Sequence, residues 1–140
     1  MLGGGLCSMV QVMQQKGYHP HFTVVEKDKV VLQWAMELFS ANDGIKIDPV
    51  CNDAQVYMQR NTAKYDLVFV DVFNGRIVPV FVCSIPFLQQ CRDSIAPKGH
   101  LALNYIINDK IEWAVVKNNF AAVFPDYHVI DLGINQILIA

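Results

Sequence analysis

The stretch DLVFVDV at residues 66–72 carries apolar side chains at four consecutive positions between two aspartates. A strand of this kind is apolar on both faces, which suits a parallel sheet that helices cover on each side. Similar apolar runs alternate with helix-like stretches along the chain, among them HFTVVE at 21–26 and GHLALNYI at 99–106. This alternation predicts an α/β fold with a Rossmann-like, doubly wound and mostly parallel sheet.

The end of the chain departs from the alternation. YHVIDLGINQILIA at 127–140 places two strand-like runs around GIN and leaves no room for a helix between them, which predicts a C-terminal antiparallel hairpin. No repeat or linker interrupts the sequence, so a single domain over residues 1–140 is expected. Two helical faces are expected to be buried: one with Val31, Trp34, Ala35 and Leu38, the other with Ile111, Val115 and Phe120.

Composition restricts the classes of partner. The 140 residues are 53% hydrophobic and carry a net charge of −2, with no basic cluster to follow a phosphate backbone, so no nucleic acid partner is expected. No apolar run reaches the ~18 residues of a membrane helix, and the start lacks the features of a signal peptide, so no membrane partner and a cytoplasmic location are predicted. The 4 cysteines and 4 histidines lack ligand spacing; no metal is expected, and the thiols are expected to be reduced and buried.

Distinctive residues stand at the carboxyl ends of the predicted strands, where doubly wound folds bind their ligands. They are the glycines Gly3, Gly4 and Gly5, Glu26 at the end of FTVVE, and Asp71 at the end of DLVFVD. Glu26 follows Gly5 at the spacing at which a carboxylate accepts hydrogen bonds from ribose hydroxyls, while the glycines let the ligand approach the backbone. The sequence therefore predicts a nucleotide site.

Asn52 and Asp53 follow the next predicted strand, in VCNDAQVYM at 50–58. A carboxylate there could accept a hydrogen bond from an adenine amino group. Either residue could instead cap the helix AQVYMQR, and the two roles are compatible. Asp28, just before KVVLQWAMELF, is interpreted as a helix N-cap.

LGGG at 2–5, VVEKD at 24–28, CNDA at 51–54, YDLVFVDVFNG at 65–75 and PKGHLALN at 97–104 occur in an order that resembles a known superfamily. It is that of the class I S-adenosylmethionine-dependent methyltransferases, and within it the spermidine synthase-like branch of polyamine aminopropyltransferases. The resemblance implies a transferase that uses S-adenosylmethionine or its decarboxylated form and acts on an unknown acceptor. By the same resemblance Asp71 is the catalytic residue and contacts the cofactor, together with Gly3, Gly4, Gly5, Glu26, Asn52 and Asp53.

The stretch DVFNG at 71–75 departs from the D-x-x-D-P of aminopropyl-transferring members, because Asn74 replaces the second acid and Gly75 the proline. An amide cannot act as a general base and brings no charge to a polyamine, so genuine spermidine synthesis is not expected. Two alternatives stay open. One is a catalytically inactive nucleotide-binding or assembly module of the same fold, and the other is an NAD-binding oxidoreductase, since a glycine loop with an acidic strand end suits both ligands.

The position of the glycine loop raises a further expectation. In the resembling fold this loop follows a central strand of about five residues, whereas only Met1 and Leu2 precede it here. The first strand is therefore predicted to be largely missing, through truncation of some kind. Exposed strand edges recruit other strands, so self-association into a homo-oligomer is expected.

Overall fold

Helices and strands alternate along the computed structural model, which describes residues 1–39 and 44–140. The sequence VVLQWAMELFSA at 30–41 is typical of a helix, and its last two residues, 40 and 41, lie outside the described residues. The chain divides into two units, Met1–Ala54 and Gln55–Ala140. The α/β class is confirmed, whereas the single domain over residues 1–140 stays a prediction.

The first unit contains parallel strands and helices: α1 (Ser8–Gln15), β1 (His21–Glu26), α2 (Lys29–Phe39) and β2 (Lys46–Cys51). β1 and β2 pair in parallel along their whole lengths. The segment before the glycines also lies on β1, because Leu2 forms a parallel bridge with Val25, and the amide of Val25 donates to the carbonyl of Met1 over 2.9 Å. Residues 1 and 2 therefore contact β1 through an isolated bridge just before the glycine loop, where the sequence places what remains of the first strand.

Helix α2 buries a different face from the one predicted. Trp34 is 57% exposed and Leu38 60% exposed, whereas Ala35 is fully buried, so the prediction is wrong for Trp34 and Leu38. The residues of α2 that pack into the core of the first unit have the spacing i, i+3, i+4 and i+7: Leu32, Ala35, Met36 and Phe39. Because α2 is apolar nearly all round, its periodicity does not select one stripe over the other.

The second unit contains the remaining elements, apart from Ala54, the first residue of α3: α3 (Ala54–Arg60), β3 (Tyr65–Val70), a 3₁₀ turn (Val80–Cys83), α4 (Ile85–Asp93), β4 (Ile95–Ile106), α5 (Lys110–Val123), β5 (His128–Leu132) and β6 (Asn135–Ile139). Its strand order is β3-β4-β6-β5. β3 and β4 are parallel, and β6 runs antiparallel to both β4 and β5. The predicted C-terminal hairpin is confirmed, and it joins the sheet through β6.

The hairpin turn is held by the side chains of Asp131 and Gln136, and Nε2 of Gln136 donates to the carbonyl of Gly133 over 2.6 Å. Oδ1 of Asp131 accepts hydrogen bonds from the amide of Gly133 over 2.9 Å and from Nε2 of Gln136 over 2.7 Å. These two bonds lower the pKa of Asp131. Gly133 has a φ of +81°, a left-handed conformation that glycine adopts without strain. The turn therefore follows from local residues, which is why the sequence predicts it.

Helix α5 also differs from its predicted face. Phe120 is buried as expected, but Ile111 is 77% exposed and Val115 53% exposed. The buried stripe consists of Val116, Phe120 and Val123, which follow one another at i, i+4 and i+7. No helix within residues 1–39 and 44–140 combines the length and the apolar composition that a membrane span requires.

Candidate functional site

The glycine loop is held closely against β1. The amides of Gly3 and Gly4 both donate to the carbonyl of Val25, over 3.0 and 3.2 Å. A Cβ atom on Gly4 would lie 2.6 Å from Cγ1 of Val24, so a larger residue would force the buried Val24 side chain to shift. Gly5 has a φ of +48°, and a Cβ there would meet no described atom within 4 Å. The loop thus requires glycine for close packing at one position and leaves open space beside the next.

The Glu26 carboxylate connects the glycine loop to the end of β1. Oε2 accepts a hydrogen bond from the amide of Gly5 over 3.0 Å, and Oε1 accepts one from the amide of Asp28 over 2.9 Å. The backbone carbonyl of Glu26 accepts a third bond, from the amide of Asn52 over 3.1 Å. Each carboxylate oxygen has lone pairs for a further donor. The structure therefore brings together Gly5, Glu26 and Asn52, three of the residues predicted to contact a nucleotide.

Two acidic residues near this cluster lie at helix starts. Oδ1 of Asp28 accepts from the amides of Val30 and Val31, over 2.8 and 3.2 Å, so the predicted N-cap of α2 is confirmed. Asp53 directly precedes α3, next to Asn52 after β2. The cofactor-binding roles of Gly3, Gly4, Gly5, Glu26, Asn52 and Asp53 stay predictions.

Asp71 lies in the second unit, directly after β3. Its Oδ1 accepts a hydrogen bond from Nδ2 of Asn104, over 2.8 Å. The two residues meet because Val70 pairs with Leu103 on the neighbouring strand β4. Asn104 is a candidate site residue that sequence reasoning missed, although its position near the end of a strand was the signal that could have found it. The catalytic role of Asp71 stays a prediction.

The segment after Asp71 forms a tight turn. Asn74 and Ile77 exchange two backbone hydrogen bonds, of 2.8 and 3.2 Å. Gly75, inside the turn, has a φ of +64°. The proline ring fixes φ near −65°, so the D-x-x-D-P backbone is incompatible with this conformation at Gly75. The departure of DVFNG from that motif is therefore a difference in backbone as well as in charge.

A cavity of about 300 Å³ lies beside this turn in the second unit. It is bounded by residues 77–80, by Tyr105 near the end of β4 and by the first half of α5. Its described lining is mainly aliphatic and includes one carboxylate, that of Glu112. Burial raises the pKa of the Tyr105 hydroxyl, which keeps that side chain neutral. The cavity therefore offers little negative charge to a polyamine.

Three of the four cysteines are buried and do not supply a nucleophile. Burial raises the pKa of Cys83 and Cys91 to about 12 and that of Cys7 to about 11, so these thiols stay protonated. Cys51 is exposed, so its predicted burial is wrong; it is the last residue of β2, a strand in which no residue is fully buried. Within residues 1–39 and 44–140, no group of three or more His, Cys, Asp or Glu side chains could hold a metal ion.

Comparison with known proteins relates the chain to two kinds of transferase. No family model matches it. It is 29% identical over 113 residues to a polyamine aminopropyltransferase of Vibrio vulnificus (strain CMCP6), covering 79% of this chain and 37% of that protein. It is 26% identical over 147 residues to an eEF1A lysine and N-terminal methyltransferase homolog of Drosophila melanogaster, covering 97% of this chain and 21% of that protein. The chain thus spans well under half the length of both curated relatives.

The structural comparison defines the fold. Human methyltransferase-like protein 13, solved in complex with SAH, matches 99% of this chain with a TM-score of 0.83 and 21% identity, and 68% of that structure is covered. The chain therefore has the fold of the class I S-adenosylmethionine-dependent methyltransferases, and the predicted resemblance is confirmed. Together with the two curated relatives, this match supports an S-adenosylmethionine-binding transferase domain. None of these three matches favours the inactive module or the NAD-binding oxidoreductase.

Proposed function

We propose that this chain is the cofactor-binding domain of a transferase that moves a methyl group from S-adenosylmethionine to a nucleophile. The observation that carries the proposal is the Glu26 carboxylate, which is already oriented by the amides of Gly5 and Asp28 at the carboxyl end of a parallel strand. An acidic residue in this position of an α/β fold accepts hydrogen bonds from ribose hydroxyls. Preorganisation by two backbone amides reduces the conformational entropy lost on binding.

Each of the other predicted residues contacts a different part of the cofactor or of the acceptor. The backbone of Gly3, Gly4 and Gly5 lies along the amino-acid end of the cofactor. Asn52 and Asp53 contact the adenine. When bound, the cofactor supplies an electrophilic carbon on a positively charged sulfur, which leaves as a neutral thioether. Asp71 accepts a hydrogen bond from the incoming nucleophile and receives its proton. Positioning of the two reactants in line supplies most of the rate enhancement.

Methyl transfer is preferred to aminopropyl transfer because of the turn after Asp71. Asn74 brings no charge to a polyamine, and the φ of +64° at Gly75 excludes the proline of the aminopropyltransferase motif. The Drosophila relative is named for methyl transfer to lysine and N-terminal amines, so amines of a protein are the first acceptors to test. Putrescine with decarboxylated S-adenosylmethionine is the matched comparison, and turnover of ~1 s⁻¹ or faster there would contradict the preference.

Calorimetric titration of the chain with S-adenosylhomocysteine tests the cofactor assignment. We expect one molecule to bind per chain and NAD⁺ to give no heat of binding under the same conditions. Binding of NAD⁺ without S-adenosylhomocysteine would refute the proposal in favour of the oxidoreductase alternative. Binding of S-adenosylhomocysteine without methylation of any amine-bearing protein would instead favour the inactive module.

Self-association is the second part of the proposal. β3 pairs with one other named strand, β4, so its other edge could receive a strand from a second copy, whereas residues 1–4 already pair with β1 through Val25. Sedimentation over a range of protein concentrations tests this, because stability and mass then rise together with concentration. A cytoplasmic location and the absence of a nucleic acid partner stay predictions.

A further inference from the structure

The cavity beside the turn after Asp71 has two walls, and contacts within the second unit hold them together. One wall contains residues 77–80 and Cys83, and the other contains residues of α5 between Ile111 and Asn119. Nδ2 of Asn119 donates to the carbonyl of Cys83 over 3.0 Å, which joins the two walls. The volume of about 300 Å³ is at the lower end of the range of ligand sites. The chain itself therefore fixes the shape of this cavity.

The buried part of the cavity lining carries no charge. Tyr105 stacks on Trp113 with ring centroids 5.3 Å apart, which fixes the Tyr105 ring beside the cavity. Burial raises the pKa of the Tyr105 hydroxyl, and it raises that of the Cys83 thiol to about 12, so both groups stay neutral. Among the described lining residues Glu112 carries the only carboxylate, and Glu112 is exposed. An ammonium group inside the cavity would lose its hydration without gaining a buried counter-charge.

Four apolar side chains of the lining form an exposed rim around the cavity: Ile77, Val80, Ile111 and Val115. Each is more than half exposed, and Val80 is 92% exposed. A contiguous apolar surface of this kind marks a binding site for a ligand or a partner. A small amine within the cavity would leave the rim in water, whereas a polypeptide that crosses the rim would cover it. The rim therefore favours a polypeptide over a small molecule.

The cavity adjoins Asp71 without including it. Ile77 closes the turn that begins at Asn74, shortly after Asp71 in the chain. Tyr105 directly follows Asn104, whose amide donates to Asp71 over 2.8 Å. Consecutive residues of a strand point to opposite faces of the sheet, so Tyr105 and the cavity lie on the other side of β4 from the Asn104 side chain. A group in the cavity is therefore a neighbour of the group that contacts Asp71.

We propose that the cavity binds an apolar side chain of a polypeptide acceptor, at a residue next to the amine that receives the methyl group. The rim contacts the polypeptide on either side of that residue. The inference rests on the proposed function, because it requires Asp71 to lie at the transfer centre. Burial of a leucine side chain in place of a serine strengthens binding about tenfold or more, so the cavity selects acceptors by the residue beside the amine.

Two synthetic peptides test this selectivity. Both are acetylated nonapeptides with one central lysine, which is flanked on both sides by leucine in one peptide and by serine in the other. We expect the chain saturated with S-adenosylhomocysteine to bind the leucine peptide about tenfold more tightly in fluorescence anisotropy. Putrescine in excess should not displace the leucine peptide, because its second ammonium group would have to enter an uncharged cavity.

Substitutions on opposite walls locate the binding site. Val80→Asp and Ile111→Asp each place a charge on the rim, and both residues are exposed enough for the fold to tolerate the change. Each substitution should lower the preference for the leucine peptide about fivefold or more, while the affinity for S-adenosylhomocysteine stays within about twofold. Leu132→Asp is the matched control, since Leu132 is 61% exposed on β5 of the same unit and does not line the cavity. That control should keep the full preference.

The outcomes separate this inference from the proposed function. Failure of the wild type to bind S-adenosylhomocysteine would overturn both. Normal cofactor binding with equal affinity for the two peptides, or with an unchanged preference in Val80→Asp and Ile111→Asp, would overturn the inference alone. Displacement of the leucine peptide by putrescine would assign the cavity to a polyamine and refute it as well. If the two rim substitutions instead reduced the sedimenting mass and left the peptide preference intact, a second copy of the chain would be the occupant and the inference would be wrong.

Discussion

Replacement of Glu26 by alanine tests the nucleotide site at its most informative residue. The substitution removes the acceptor for the Gly5 amide at 3.0 Å and the acceptor for the Asp28 amide at 2.9 Å, and it removes the carboxylate proposed to hold the ribose. A hydrogen bond to a charged group contributes ~1.5 to 3 kcal/mol. Loss of a single such bond to the ribose corresponds to a ~10- to 150-fold weaker affinity for S-adenosylhomocysteine.

The same substitution should affect folding much less than binding. The two bonds to backbone amides are exposed to solvent, so we expect the free energy of unfolding to fall by only ~0.5 to 1.5 kcal/mol. Calorimetry measures the affinity and urea unfolding measures the stability. Glu37→Ala is the matched control, because Glu37 lies on α2 of the same unit and its Oε1 accepts from Gln33 over 2.9 Å. An unchanged affinity in a folded Glu26→Ala protein would remove Glu26 from the site.

Three further predictions concern stability. Gly4→Ala should lower the free energy of unfolding by ~1 to 3 kcal/mol, because its Cβ would lie 2.6 Å from Cγ1 of Val24; a neutral result in urea unfolding would contradict the close packing. Asp28→Ala should cost ~1 kcal/mol through loss of the α2 N-cap, and unchanged helix content and stability would argue against the cap. Because burial raises the pKa of Cys83 and Cys91 from 9.0 to about 12, the unfolded chain loses those protons first, so stability should fall as the pH rises from 9 towards 12. Urea unfolding across this range, with the double alanine variant as control, checks the sign, and equal slopes in both proteins would contradict it.

The order of helices and strands could be predicted from the sequence because its signals are local. Consecutive apolar residues in DLVFVDV indicate a strand buried on both faces, and GIN between two apolar runs indicates a hairpin. The association of Gly5 with Glu26 could likewise be predicted, since a glycine loop and an acidic residue at a strand end occur at a recognisable spacing. Each of these features depends on neighbouring residues or on one βαβ unit.

The buried faces of the helices could not be predicted in the same way. α2 has two apolar stripes, and only packing against the rest of the first unit selects the one with Leu32 and Ala35 over the one with Trp34 and Leu38. The same holds for α5, where Val116 and Phe120 are buried and Val115 is exposed. Helical periodicity limits which stripes of a helix can be buried, but contacts with residues distant in sequence decide which of them is buried.

By itself, the sequence determined the α/β class, the C-terminal hairpin and the residues of the glycine loop. These features depend on the pattern of apolar residues and on the backbone preferences of residues that are neighbours in the chain. Only the tertiary structure decided that Asn104 donates to Asp71, a residue 33 positions earlier in the chain, and that Gly75 adopts a backbone in which proline cannot stand. The first depends on the register of β3 against β4, and the second on how the chain turns after β3. Both are set by pairing between segments, which no single stretch of sequence specifies.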